Sequence, residues 1–122
     1  MFEVVKRDGQ VVDFTLGKIK DAIAKAFQAT GKEYNDDIID LLVLRVTAHF
    51  QSKVENGQIH VEDVQDSVEA VLEQSGYTDV AKAYILYRKQ REKMRNMKST
   101  ILDYKDVVNS YVKVEDWRVK EN

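Results

Sequence analysis

Apolar residues change their spacing several times along this chain, and each change marks an element. Phe2-Glu3-Val4-Val5-Lys6-Arg7 and Val11-Val12-Asp13-Phe14 are two β-prone runs flanking Asp8-Gly9. Asp-Gly favours the left-handed backbone of a tight turn, so the spacing predicts a β-hairpin closed by those two residues. The pattern then takes a helical period. Ile19, Ala22, Ile23, Ala26 and Phe27 fall on one face of an amphipathic helix, with Thr15 as its predicted N-cap and Gly31 as its stop. A second helix is predicted from near Asn35, where Asp36 and Asp37 suit its positive N-terminus. Its inward stripe is Ile39, Leu42, Val43, Val46 and Phe50, widened by Ile38 and Leu41, and Gly57 ends the segment.

Ile59-His60-Val61 is short and β-prone, which predicts a third strand beside the hairpin. Val64, Val68, Val71 and Leu72 predict a third helix that closes at Gly76. The fourth starts at Thr78 or Asp79 and carries Val80, Ala81, Tyr84, Ile85 and Tyr87. The stripe lapses near Asn96-Met97-Lys98, and Thr100-Ile101-Leu102-Asp103 has capping-box geometry, so a short fifth helix is expected to run to about Val112. A two-stranded hairpin is marginal in water unless it packs on something. The expected fold is therefore α+β: a small sheet, made of the hairpin and a short strand, capping a four-helix bundle and followed by a C-terminal linker helix.

Composition narrows the chemistry. At 122 residues the chain can build one core. Cysteine is absent, which removes disulfides, thiolate nucleophiles, iron–sulfur ligation and Cys-type zinc sites. Proline is absent too, as befits long helices, and His49 and His60 are the only histidines for acid–base work near neutral pH. Most enzyme classes are disfavoured on these grounds. There is no apolar run of membrane-spanning length and no signal-peptide core, so no membrane is expected and the expected setting is cytoplasmic.

The formal net charge is only −2, but its distribution is uneven. Between Val54 and Ala81 there is no Lys or Arg, against seven acids; between Lys82 and Lys98 there are seven bases against one acid, Glu92. Such a split serves two attracting helices or an anion site at the basic end. The acidic remainder argues against a long nucleic-acid interface. The competing functional reading is a non-enzymatic helical nucleic-acid-binding or scaffold module that uses the Lys82–Lys98 face. A small nucleotide hydrolase would have to draw its carboxylates from Glu62, Asp63 and Asp66.

The densest local chemistry lies at the hairpin. Lys6 and Arg7 end a strand beside a tight turn, and the second strand leads to a helix start at Thr15, Leu16 and Gly17, with Lys18 in its first turn. Cations beside free helical N–H groups make a seat for phosphate. Adjacent strand residues point to opposite faces, so one of Lys6 and Arg7 is expected to serve a ligand and the other a salt bridge. The Gly spacings of a P-loop or a dinucleotide fingerprint are absent.

Val5-Lys6-Arg7-Asp8-Gly9, then Phe14, Lys18-Ile19 and Ala22-Ile23, resemble the opening of the ATP-cone domain. Ile59 to Glu69 resembles its second signature and Ala83-Tyr84-Ile85-Leu86-Tyr87-Arg88 its closing helix, so the resemblance covers about residues 1–95. ATP-cones are allosteric nucleotide-binding modules, mainly of ribonucleotide reductases. The resemblance thus implies a domain that binds ATP or dATP, with Mg2+, and controls the overall activity of a reductase without catalysing anything itself. It gives Lys6, Arg7 and Lys18 phosphate roles and sets Val5 and Ile19 near the base or sugar. Val61 and Gln65 fall where related cones carry a threonine and a histidine, and His60 is a surface neighbour. Arg88, Lys89 and Arg91 become candidates for a basic end that closes on the triphosphate. Residues 96–122 would form a linker helix and the start of a catalytic domain. Within them, Asp116-Trp117-Arg118-Val119-Lys120-Glu121-Asn122 resembles the joining segment of the anaerobic, glycyl-radical ribonucleoside-triphosphate reductases. The implied partners are that catalytic domain and further copies in a ligand-dependent oligomer.

Overall fold

The computed structural model describes residues 2–103, with side chains through residue 98. The elements in order are β1 (Glu3–Val5), β2 (Val11–Asp13), α1 (Leu16–Thr30), α2 (Asp36–Phe50), β3 (Gln58–His60), α3 (Val61–Gln74) and α4 (Thr78–Asp103), with a short 3-10 turn at Gln51–Lys53 after α2. The fold is α+β, as the residue pattern predicts. The chain divides into two units, Met1–Tyr87 and Arg88–Asn122, and the sheet, α1, α2 and α3 belong to the first.

The hairpin turn is longer than Asp8-Gly9 alone. Lys6 N–H donates to the Gln10 carbonyl at 2.7 Å and Gly9 N–H to the Lys6 carbonyl at 2.9 Å, so Arg7, Asp8 and Gly9 together form the loop. Gly9 has φ +88°, the left-handed position of a three-residue turn, and the Asp8 carboxylate accepts from Gln10 N–H at 2.9 Å. The sheet order is β2-β1-β3. β1 pairs antiparallel with β2 and parallel with β3, with Val4 opposite Val12 on one side and Ile59 on the other. A second tight turn feeds β3. Asn56 and Gly57, at φ 53° and 75°, let Glu55 and Gln58 exchange two backbone hydrogen bonds of 2.9 Å, and the Gly57 carbonyl accepts from Glu3 N–H at 2.8 Å.

Each helix turns its predicted stripe inward, except that Leu41, expected to widen the stripe of α2, is 57% exposed because it lies on the outer side of the helix, while Ile38 is half-buried. Ile23, Phe27, Ile39, Val46, Phe50, Leu72, Val80 and Ala81 are all fully buried. Three rings fasten the sheet to the helices: Phe2 stacks on Phe14 at 4.3 Å, and both meet Phe50 edge-on, at 5.6 and 5.7 Å. Phe27, Tyr34 and Tyr77 form a second aromatic contact within the first unit. Ser67 lies on the inward face of α3 with no exposure, and its hydroxyl meets His49 Nδ1 of α2 at 2.9 Å, so the buried polar atom has its partner. Lys20 and Asp40 join α1 to α2 at 3.1 Å. The Asp40 carboxylate holds the Lys20 ammonium above the usual lysine range. A raised folded-state pKa means that this small contribution is present at neutral pH and is lost only as pH climbs through the alkaline range.

Two expectations need correction. Thr15 occupies the N-cap position of α1 with extended backbone, but its side chain accepts no hydrogen bond; its carbonyl accepts from Lys18 N–H at 3.3 Å. Asn35 does cap α2, through its side chain, to Ile38 N–H at 2.9 Å. The fifth helix expected from Thr100 does not begin there, because α4 continues without a break to Asp103. Residues 88–103 contain no Gly or Pro to interrupt it, so the lapse in the apolar stripe does not end the helix, and residues 89–98 lie exposed along it. The rest of that segment, including Trp117, lies outside the described residues. Among those described, no helix is long and apolar enough to cross a membrane.

Phe50→Ala is expected to lower the unfolding free energy by about 3–5 kcal/mol, because it empties the space between sheet and helices. Leu44→Ala on the outer face of α2, where Leu44 is 63% exposed, should stay within about 0.5 kcal/mol of wild type. Urea unfolding compares the two, and similar losses would refute this assignment of the core. A side chain at Gly9 meets no atom, so Gly9→Ala should cost only the left-handed backbone term, about 1–2 kcal/mol, in the same assay.

Candidate functional site

Parallel pairing decides which residues face one another. Val5 at the end of β1 lies opposite His60 at the end of β3, so the two chains leave the sheet at the same edge. After β1 come Lys6 and the Arg7-Asp8-Gly9 turn; after β3 comes the first turn of α3, Val61, Glu62 and Asp63. Between them is a cleft of about 340 Å³ lined by Val5, Lys6, Arg7, Gly9, His60, Val61 and Glu62. Val5 and Val61 are half-buried and supply its apolar part, whereas Lys6, Arg7, His60 and Glu62 supply exposed polar groups.

Arg7 crosses the cleft. Its Nη1 lies 3.0 Å from Glu62 Oε2, and its Nη2 donates to Gln65 Oε1 at 3.4 Å. Glu62 and Gln65 are three residues apart on α3, on one face of the helix. The guanidinium is therefore oriented by two side chains of the same element. The Arg7 and Glu62 side chains are 31% and 55% exposed, and an ion pair so wet is worth about 0–1 kcal/mol. Its main effect is to fix direction and lower the free positive charge of the cleft. Lys6 is exposed at the same cleft and has no side-chain partner among the described residues. Strand alternation does not reach Lys6 and Arg7, because β1 ends at Val5, but the expected division stands in that Arg7 makes a salt bridge while both residues line the cleft.

A second cleft, of about 460 Å³, shares Val5 and His60 with the first and has Lys53, Glu55, Asn56, Gln58 and Asp63 in its wall. Lys53 Nζ is 3.7 Å from Asp63 Oδ1 there. The neighbouring acids Glu62 and Asp63 thus engage different cations in different clefts. Among the described residues, no three His, Cys, Asp or Glu side chains are grouped so as to hold a metal ion.

Of the remaining site residues expected from sequence, Lys18 and Ile19 belong to the first unit but not to the lining of the cleft. Lys18 is exposed in the first turn of α1, and Ile19 is in the core at 7% exposure. Arg88 and Arg91 are on the part of α4 that belongs to the second unit. The structure adds Glu62 as the direct partner of Arg7. Its only trace in the sequence is an acid in the first turn of a helix, which the helix dipole alone would explain.

Comparison with known proteins gives a consistent picture. The chain is 43% identical over 101 residues to the vitamin B12-dependent ribonucleoside-diphosphate reductase of Thermoplasma acidophilum, covering 79% of this chain and 13% of that protein. It is 38% identical over 103 residues to ribonucleoside-diphosphate reductase subunit alpha of Chlamydia pneumoniae, covering 75% of this chain and 9% of the relative. With the anaerobic ribonucleoside-triphosphate reductase of Haemophilus influenzae it shares 32% identity over 111 residues, 82% of this chain and 14% of that enzyme. The chain therefore spans only a small fraction of the relatives it matches. The model of the ATP cone domain matches residues 2–93, a span that holds the hairpin, the cleft and all of α3, and the chain belongs to the ATP-cone family.

Proposed function

We propose that this chain is the allosteric nucleotide-binding domain of a ribonucleotide reductase, taking ATP or dATP in the cleft between the hairpin turn and the first turn of α3. The observation that carries the reading is the convergence of Lys6 and Arg7 on one cleft whose walls include Val5 and Val61. A triphosphate carries about four negative charges and is best met by several cations, one of them a guanidinium able to bind two oxygens at once. The half-buried valines offer apolar area to a base or sugar, and Gln65 offers an amide that can donate and accept. On the family resemblance Lys18 and Ile19 are proposed near the nucleotide from α1 without lining the cleft, and Arg88 and Arg91 are proposed as further cations from the second unit.

A magnesium ion arriving with the nucleotide would be held chiefly by phosphate oxygens and water. Glu62 is the carboxylate in the cleft that could add one ligand, which matches the habit of Mg2+ to use one or two carboxylates beside phosphates. Regulation would follow from differential binding: ATP and dATP differ by one hydroxyl, and each would favour a different packing of this domain against its catalytic partner or against further copies. The reductase is proposed to be of the anaerobic triphosphate type on the resemblance of residues 116–122. The relatives include B12-dependent and other diphosphate reductases as well, so reductase is the firmer level of description.

In calorimetry the chain is expected to bind ATP and dATP without turning either over. Lys6→Ala and Lys18→Ala should each weaken binding about tenfold or more, the value of a lost charge-assisted contact. No heat of binding from a folded chain would remove the proposal. Salt-dependent DNA binding that survives both substitutions would favour the module built on the Lys82–Lys98 face instead.

A further inference from the structure

We infer that Glu62 is a built-in competitor of the ligand for Arg7, and that it sets the affinity of the cleft for phosphate. This rests on the nucleotide reading above and names a regulatory element within the same site. The guanidinium that points across the cleft is already engaged, at 3.0 Å by the Glu62 carboxylate and at 3.4 Å by the Gln65 carbonyl oxygen. A phosphate that uses Arg7 must displace at least the carboxylate, since both are anions seeking the same N–H groups. Glu62 also lines the cleft, so its charge opposes that of any phosphate that enters. Gln65 carries no charge and can share the guanidinium with an incoming oxygen.

The energetics favour an adjustable latch over a lock. The pair is partly exposed, and such pairs are worth about 0–1 kcal/mol, so the ligand can break it. While it persists, only the fraction of molecules with Arg7 released is fully competent, and the apparent dissociation constant rises by the inverse of that fraction. Repulsion between Glu62 and a polyphosphate a few ångströms away adds a term of similar size in a solvated cleft. Together these predict a handicap of about 3- to 10-fold on phosphate binding. Neutral ligands should not feel it.

The test is calorimetric titration of the full chain with ATP and with adenosine, in EDTA so that no divalent cation masks the charges. The proteins are wild type, Glu62→Gln, Arg7→Ala, the double variant and Lys6→Ala, each checked for helical content by circular dichroism. Glu62→Gln should bind ATP about 3- to 10-fold tighter than wild type, with adenosine unchanged. In the Arg7→Ala background about half of that gain on a logarithmic scale should vanish, the part that acts through the guanidinium, while the direct repulsion remains. If Glu62→Gln binds ATP as wild type does, or more weakly, or if its full gain survives without Arg7, the inference is overturned. If wild type binds no ATP at all, the nucleotide reading falls and this inference with it. If wild type binds, Lys6→Ala weakens it and Glu62→Gln is silent, only the competitor role is lost.

Discussion

The pairing of β1 with β3 is the constraint on which the rest of the site depends. A hairpin places Arg7 at the tip of a turn, but only a parallel neighbour brings the start of α3 to the same edge of the sheet. That neighbour is three residues long and could not hold its place by backbone hydrogen bonds alone. It is held by Ile59, 2% exposed, and by the ring cluster of Phe2, Phe14 and Phe50 beneath the sheet. Packing in the core, remote from any ligand, therefore fixes the distance between the hairpin turn and the helix.

The electrostatic character of the cleft follows from the same geometry. α3 belongs to a stretch without a single Lys or Arg, and its first turn carries Glu62 and Asp63. Acids there suit the helix dipole and stabilise α3 locally. Juxtaposed with the hairpin, one of them neutralises Arg7 and the other Lys53, so what stabilises the helix also moderates two basic side chains. Lys6 is the cation of the cleft that these acids leave without a side-chain partner among the described residues.

Much of the fold is legible in the residue order because burial and period agree. The stripes of α1, α2 and α3 are the buried residues almost one for one, and Gly31 and Gly76 stand at left-handed stops after α1 and α3. Ser67 was hidden among the valines of α3, although a serine on an apolar stripe already asks for a partner, and His49 supplies it. The capping role given to Thr15 fails because N-cap residue type is a preference that the local side-chain rotamer need not honour. The break near Asn96 fails because a lapse of apolar period does not end a helix that nothing interrupts. For the site, Lys6 and Arg7 stand out as charges beside a turn. Their meeting with Glu62 and Gln65 does not, since it arises from a strand pairing between residues more than fifty positions apart.

His60 has one further property. It is at once the last residue of β3 and the N-cap of α3, so strand and helix are joined with no loop between them. A connection without slack cannot absorb a displacement at either end. Val61, which lines the cleft, thus follows directly on a strand bonded to β1, and the helix it begins is tied to α2 by the His49–Ser67 contact.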